Sequence, residues 1–324
     1  MFDRAKLLPS NLPGVFALPP IPNDFDPTTA TKAALLKHGL LWHRPAHNDH
    51  PAVIAAWNKA FSGGFYAKKH IVPSITPLTN RIHKPLIITK PFDGPCAPSD
   101  RWSGAVVNNP WPGWTGNMTV TSYWRVPTVS KPTWPGNRGL WTSSSWIGIG
   151  NPDPNKFPTD LLLQAGVTHD VIDLSGTTKY YAWYAYNFEE QRLNNITIRP
   201  GDEISCSVQY LPHSHQFYFS ILNSTTEQYS AMLVDLPRDR QVATNAVEWI
   251  VEVPGGYING NAIPNITPVR FDSAIGCNGE VVLATDGGCM VTVDNIDGKD
   301  VQVTQVAFES SLIDTSVIVS LALE

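Results

Sequence analysis

The side chains of this 324-residue chain that most readily bind metal or attack a substrate are its nine histidines and four cysteines, and their spacing completes neither kind of site. A metal centre needs three or four converging His, Cys or carboxylate ligands. His213 and His215 lie two apart, so on a strand both would face one way, but no third ligand is near and the neighbouring Pro212 marks a surface turn. His43, His47, Asp49 and His50 crowd together, yet Pro45 keeps His43 and His47 off a shared helical face. They read as solvated or interface histidines, and no metal site is expected. Cys96, Cys206, Cys277 and Cys289 contain no Cys-x-x-Cys pair. Cys277 and Cys289 flank an expected hairpin, either as a disulfide or as two buried thiols. The chain has no Gly-x-Ser-x-Gly elbow, no His-Glu-x-x-His, no phosphate-binding loop and no Gly-x-Gly-x-x-Gly after a strand. Serine-hydrolase, zincin and nucleotide chemistries therefore have no motif behind them, and no cofactor is expected.

The elements that must carry any site divide the chain into two parts of opposite charge. Residues 1–95 hold 11 Lys and Arg against 5 Asp and Glu, whereas residues 96–324 hold 12 against 23. The parts should attract each other, and six of the nine histidines lie in the basic one. Nucleic acid is excluded as a partner, because there is no continuous basic stripe and the larger part repels phosphate. No apolar run approaches the roughly 20 residues of a membrane span. The first twenty residues are broken by Pro and lack a continuous apolar segment, which argues for an intracellular chain. Sequons at Asn117, Asn195, Asn223 and Asn265 point the other way.

Residues 1–28 read as a Pro-rich extended arm, followed by a helix over about 29–41 and a second over about 51–61, with Pro51 suited to its first turn. The six prolines between 71 and 99 predict a linker or wrapping segment rather than a packed element. Beyond Arg101 the pattern changes to short alternating runs separated by Gly, Pro, Asn and Asp, the signature of an antiparallel sandwich or barrel. Examples are 118–124 and 216–221, and a hairpin is expected between 290–293 and 301–306 across Asp297-Gly298. The chain is expected to be all-β: a helical, Pro-rich extension over 1–100 and an antiparallel β-sandwich over 101–324.

Four segments in order carry a more specific signal: Ser145-Trp-Ile-Gly-Ile149; Leu163-Gln-Ala-Gly-Val167; Tyr181-Ala-Trp-Tyr184 followed by Ile196-Thr-Ile-Arg-Pro-Gly-Asp202; and Asn245-Ala-Val-Glu-Trp-Ile-Val-Glu252. With Tyr123-Trp-Arg-Val-Pro127 before them, they resemble the fungal glutamic peptidases, or eqolisins, over about two thirds of the chain. The resemblance implies a lectin- or glucanase-like pair of packed sheets and secretion. It also implies a catalytic glutamine at Gln164, a catalytic glutamate at Glu248, and an aromatic substrate groove with Trp146, Trp183, Tyr184 and Tyr186. Peptide hydrolysis needs a base that takes a proton from water and a donor that stabilises the oxyanion, roles open to a carboxylate and a primary amide. Taken singly, Glu248 would read as a strand residue in a surface ion pair, and Gln164 as a side chain bonded to backbone. Glu252, four residues on, shares the face of Glu248 by alternation and is expected to be structural. Where the family tends to have Trp-Tyr-Glu-Trp, this chain has Trp183-Tyr-Ala-Tyr186, so Ala185 replaces a carboxylate.

The expected function is an acid-type endopeptidase with a peptide as its partner, the basic N-terminal part acting as an inhibitory segment. Two other functions share the same residues. One is a cyclase, lyase or hydrolase of a small molecule that reuses the Gln and Glu pair. The other is a carbohydrate-binding module, since seven of the eleven tryptophans fall between Trp102 and Trp146 and exposed rings stack on sugars.

Overall fold

The computed structural model describes residues 2–38, 40, 45–49, 51–61, 69–83, 99, 101–108, 116–132, 141–150, 160–255, 262–277, 281–285, 289–291, 295–296, 299–300, 304–310 and 315–322. Period-two alternation in the second part produces two antiparallel sheets packed face to face. The eight-stranded sheet runs in the order Cys289–Val291, Trp102–Asn108, Ala246–Glu252, Trp141–Ile149, Leu163–Val171, Thr178–Ala185, Glu189–Leu193 and Ile75–Ile82. The eleven-stranded sheet is centred on Glu203–Leu211, between Met118–Arg125 and Gln216–Asn223. The expected antiparallel β-sandwich is the fold found.

Along Leu163–Val171 the odd residues Leu163, Ala165 and Val167 join Ile147, Ile149, Val247 and Trp249 in the core between the sheets. Val120, Cys206, Val208, Phe217, Phe219 and Met232 face them from the other sheet. The Trp249 indole donates across the core to the Thr121 carbonyl at 3.2 Å, and the Cys206 thiol reaches the Ala165 carbonyl at 3.7 Å. His169 also points inward, held by the Ser143 and Ser145 hydroxyls at 2.5 and 2.8 Å. Burial lowers its imidazole to about 3, so it stays neutral in the core. The even residues Gln164, Gly166, Thr168 and Asp170 are thereby turned to the opposite face. At a corner of the other sheet, Asn223 is fully buried and its amide donates to the Thr197 carbonyl at 2.9 Å and to Asp202 at 2.7 Å.

The N-terminal part adds strands to both sheets. Val15–Ala17 pairs antiparallel with Gln228–Asp235, and Lys69–His70 pairs parallel with the same strand. The second helix is Pro51–Phe61, as expected, but the first is shorter, Lys32–Lys37. Ala52, Val53 and Ala56 pack on Ile275 and Leu283, while Trp57 and Phe61 pack with Leu35 and Leu40. Arg4 meets Asp235, and Lys59 meets Asp272 at 3.7 Å, so cations of the first part contact acids of the second.

One expectation is corrected. The Pro-rich stretch is not wholly a linker, because Ile75–Ile82 is a strand paired with Glu189–Leu193, with Pro77 opposite Gln191. It is the last strand of its sheet, and an edge tolerates the missing N–H of proline. Of the expected hairpin between 290–293 and 301–306, residues 292–294 and 301–303 lie outside the described residues. Asn295–Ile296 and Lys299–Asp300 pair across 297–298, but Cys289–Val291 joins Trp102–Asn108 and Thr304–Ser310 pairs with Thr315–Leu321. The side chains of Leu36, Cys277 and Cys289, and the whole of Trp42, His43, His50 and Cys96, lie outside the described residues. Among the described residues no helix is long and apolar enough to cross a membrane.

Because the two parts are joined by strand pairing and apolar burial, screening surface charge should not part them. Co-expressed as separate pieces, 1–90 and 91–324 should co-purify and still co-elute on gel filtration in about 0.5 M salt, where the Debye length is only a few ångströms. Separation under those conditions would contradict this account.

Candidate active site

Strand Trp141–Ile149 lies between Leu163–Val171 and Ala246–Glu252, and its Gly148 is the register partner of Gln164 on one side and of Glu248 on the other. Directly paired residues project to the same face. With strands about 4.8 Å apart, the two side chains start roughly 9.6 Å from each other across one residue that has none. A Cβ at Gly148 would stand 2.8 Å from Trp146 Cζ3, 3.0 Å from the Leu163 carbonyl and 3.3 Å from Glu248 Oε2. Only glycine leaves the space that Glu248 Oε2 and the Trp146 ring approach.

Both side chains are fully buried, and none of the four polar atoms, amide or carboxyl, has a hydrogen-bond partner among the described residues. Leaving such groups unmet costs about 1–3 kcal/mol each, so a fold that keeps them does so at a cost in stability. Burial, and then the charge of Glu252, raise the Glu248 carboxyl well above the usual carboxylate range.

Trp146 and Trp183 share this face in a cluster with Trp102, Val106, Tyr181, Ala185, Phe188 and Ile250. Gly166 is paired with both Trp146 and Trp183, and a Cβ on it would be 2.5 Å from Trp146 Cβ. The two indoles lie on the sheet face of Gln164 and Glu248 and are covered rather than open, both 0% exposed. Tyr184 does not line the groove. Alternation turns it to the core, where its ring stacks on Phe219 at 4.6 Å. Tyr186 likewise packs against the core cluster, so both tyrosines are corrected from substrate-binding to core-side residues. Ala185 is opposite Gln164 in register and adds no polar group beside it.

The sequence reading missed a buried polar network on the same face. His83, from the N-terminal part, places Nδ1 2.5 Å from Glu252 and Nε2 3.0 Å from Glu190, and its ring stacks on Trp183 at 4.2 Å. Arg81 donates to Thr142 and, at 2.5 Å, to Asp170. Tyr181 and Thr168 donate to Glu190 at 2.6 and 3.0 Å, and the Trp146 indole to Glu252 at 3.0 Å. Burial alone would lower the His83 imidazole, but Glu252 and Glu190 outweigh it and raise it to about 9. Burial likewise would raise Glu190, and the bonds and charges of His83 and Arg81 bring it below the ordinary value. Asp170 is pushed up to about 6 by burial, against the pull of Arg81 and Thr142. Only the alternation of Arg81 and His83 hinted at this arrangement, and among so many prolines it read as linker.

Among the described residues no group of three or more His, Cys, Asp and Glu is arranged to hold a metal. His213 and His215 do not cooperate: His215 meets the Tyr210 hydroxyl at 3.2 Å and donates to the Pro237 carbonyl at 2.9 Å.

Residues 100–320 match the model of the Peptidase A4 family. The chain belongs to that family. It is therefore a hydrolase of the glutamic peptidase type. Two solved structures of scytalido-glutamic peptidase, one with a transition-state analog inhibitor and one with a peptide-based transition-state analog, are similar at 22% and 23% identity. Their TM-scores are 0.52 and 0.51, and each alignment covers 68% of this chain and 98% of the other. Aspergilloglutamic peptidase from Aspergillus niger is similar at 25% identity and TM-score 0.45, over 56% of this chain and 99% of its own. No curated protein sequence matches.

Filling the gap between the pair should be costly. Gly148→Ala should lower stability by about 1–3 kcal/mol in urea denaturation, whereas alanine at Gly176, where nothing lies within 4 Å of an added Cβ but φ is +87°, should show only the smaller backbone cost. Equal losses at both positions would refute the close approach at Gly148.

The network also sets a pH dependence. His83 binds its proton more tightly folded than unfolded, so its contribution is full below about 6.5 and is lost as pH rises through about 9. Glu248, also raised, opposes the fold as it ionises on the same side. Thermal midpoints should therefore fall between pH 6.5 and 9, and His83→Gln should flatten that slope. An unchanged slope in the variant would assign the dependence elsewhere.

Proposed function

We propose that this chain is an acid-type endopeptidase in which Glu248 and Gln164 are the catalytic residues. The observation that supports it best is that Gln164 and Glu248 flank Gly148 in register and carry four fully buried polar atoms without a partner among the described residues, because structural side chains at such depth are ordinarily satisfied. Glu248 as carboxylate takes a proton from the attacking water and returns it to the leaving amine. The Gln164 amide donates to the carbonyl oxygen as it becomes an oxyanion. In a water-poor site the amide dipole is worth more than in solution, and the covering indoles of Trp146 and Trp183 supply that environment. Burial raises this carboxyl, which favours the protonated form that Glu248 takes once it has accepted the proton of water.

Residues 1–100, the stretch before Arg101, are proposed to be an extension that lies across the groove and restrains the enzyme. His83 donates its backbone N–H to the Phe188 carbonyl at 2.7 Å, and Gly255 donates to the Ile82 carbonyl at 2.9 Å, so the main chain crosses between the two rims. Sugar binding finds no support. All seven described tryptophans, 57, 102, 124, 141, 146, 183 and 249, are buried, leaving none as an open stacking platform.

The test is to incubate the purified chain with a denatured protein at pH values from about 3 to 7, spanning carboxylate and histidine titration, and to look for fragments of substrate and of the chain itself. Glu248→Gln should reduce turnover by about 10²–10⁴-fold with the fold intact, the range for loss of a general base. Glu203→Gln, an exposed carboxylate paired with Arg125 on the other sheet, should retain activity. Equal turnover in both variants would remove Glu248 from the mechanism.

A further inference from the structure

Three carboxylates, Asp170, Glu190 and Glu252, lie fully buried on the groove face, and the cations that meet them come from one short stretch of the chain itself. Arg81 engages Asp170 and Thr142; His83, two residues on, engages Glu190 and Glu252. Between them Ile82 packs against the apolar cluster of the same face. The main chain is gripped on both sides, at the Phe188 carbonyl and the Gly255 N–H. This is how an extended peptide would lie in a groove: backbone bonded to the rims, alternate side chains turned down into the floor.

Beyond these contacts the floor still has polar capacity. Glu252 Oε1 and the Trp183 indole N–H have no partner among the described residues and, like the atoms of Gln164 and Glu248, are buried. A buried carboxylate is costly unless a cation and hydrogen bonds meet it. The floor is therefore built for positive side chains at two positions separated by one apolar residue, and it selects against neutral or acidic ones by leaving its own charges unpaired.

We propose, resting on the peptidase reading above, that the groove selects peptides carrying basic residues two apart, Arg or Lys over Asp170 and a second cation, His included, between Glu190 and Glu252. Residues 81–83 occupy those two subsites as the chain's own copy of the preferred sequence. Asp170, Glu190 and Glu252 are then specificity-determining residues, and the alternation of Arg81 and His83 reports the substrate's charge pattern.

The test uses the full chain carrying Arg81→Gln and His83→Gln, which removes both cations and leaves the segment held over the two subsites by backbone bonds that a competing peptide can displace. The probes are a blocked synthetic hexapeptide with the sequence of residues 79–84 and a control with glutamine in place of Arg81 and His83 but Lys84 kept, their binding read by tryptophan fluorescence. The basic peptide should bind at least about tenfold tighter, a difference of about 1.4 kcal/mol. Adding Asp170→Asn should erase the gain from the peptide's Arg alone. Equal binding of the two peptides to a variant shown folded by near-ultraviolet circular dichroism overturns the proposal. Should the double variant not fold, cleavage sites made by the unsubstituted chain in a denatured protein decide it. Basic residues spaced two apart should be enriched at fixed positions beside the cut, and their absence overturns the proposal, as does absence of any cleavage in that case. Glu248-dependent cleavage without basic enrichment would sink the specificity and leave the peptidase. Discriminating binding without cleavage would do the reverse.

Discussion

The site depends on the register of three strands. Gln164, Gly148 and Glu248 stand in one row only because Trp141–Ile149 pairs with its two neighbours in one alignment. A slip of one residue in either neighbour would turn Gln164 or Glu248 into the core and bring an apolar side chain out. What prevents the slip is on the other side of the sheet. Trp249, next to Glu248, is anchored to the Thr121 carbonyl, and Ala165, next to Gln164, lies against Cys206. The apolar core thus aims the polar face, and its stability offsets the burial of two side chains that have no partner among the described residues.

The second dependence is electrostatic. The groove face carries Asp170, Glu190, Glu252 and Glu248 within one sheet, and the described cations that meet the first three come from residues 81 and 83. Because these pairs are buried, salt screens them little, unlike the exposed contacts of Arg4 and Lys59. The opposite net charges of the two parts bring them together at long range, but the specific docking is decided by a few pairs inside the groove.

Most of the fold was legible in the sequence, whereas the candidate pair came from another source. Alternating apolar runs after Arg101 reflect a core that one face of each strand must fill, so the sandwich followed from pattern alone. Gln164 and Glu248 were found by resemblance, since a glutamine and a glutamate carry no local signature of their own. Tyr184 and Tyr186 were misplaced because aromatic type says nothing about which face a residue takes, although alternation from Trp183 would have turned Tyr184 inward. The strand at 75–82 was hidden by its prolines, which are informative against a central strand and nearly silent about an edge. The partnership of His83 with Glu190 and Glu252 joins residues more than a hundred positions apart, and no local rule reaches that far.

The buried amide of Asn223 places one further constraint on the life of the chain. The nitrogen that a sugar would be attached to is the same atom that bonds the Thr197 carbonyl and Asp202. Glycosylation of that sequon and closure of that corner are mutually exclusive, so in a glycosylating compartment the enzyme that adds sugar and the folding chain compete for a single atom. A molecule modified there is one that lost the race, and the order of events during synthesis is written permanently on its surface.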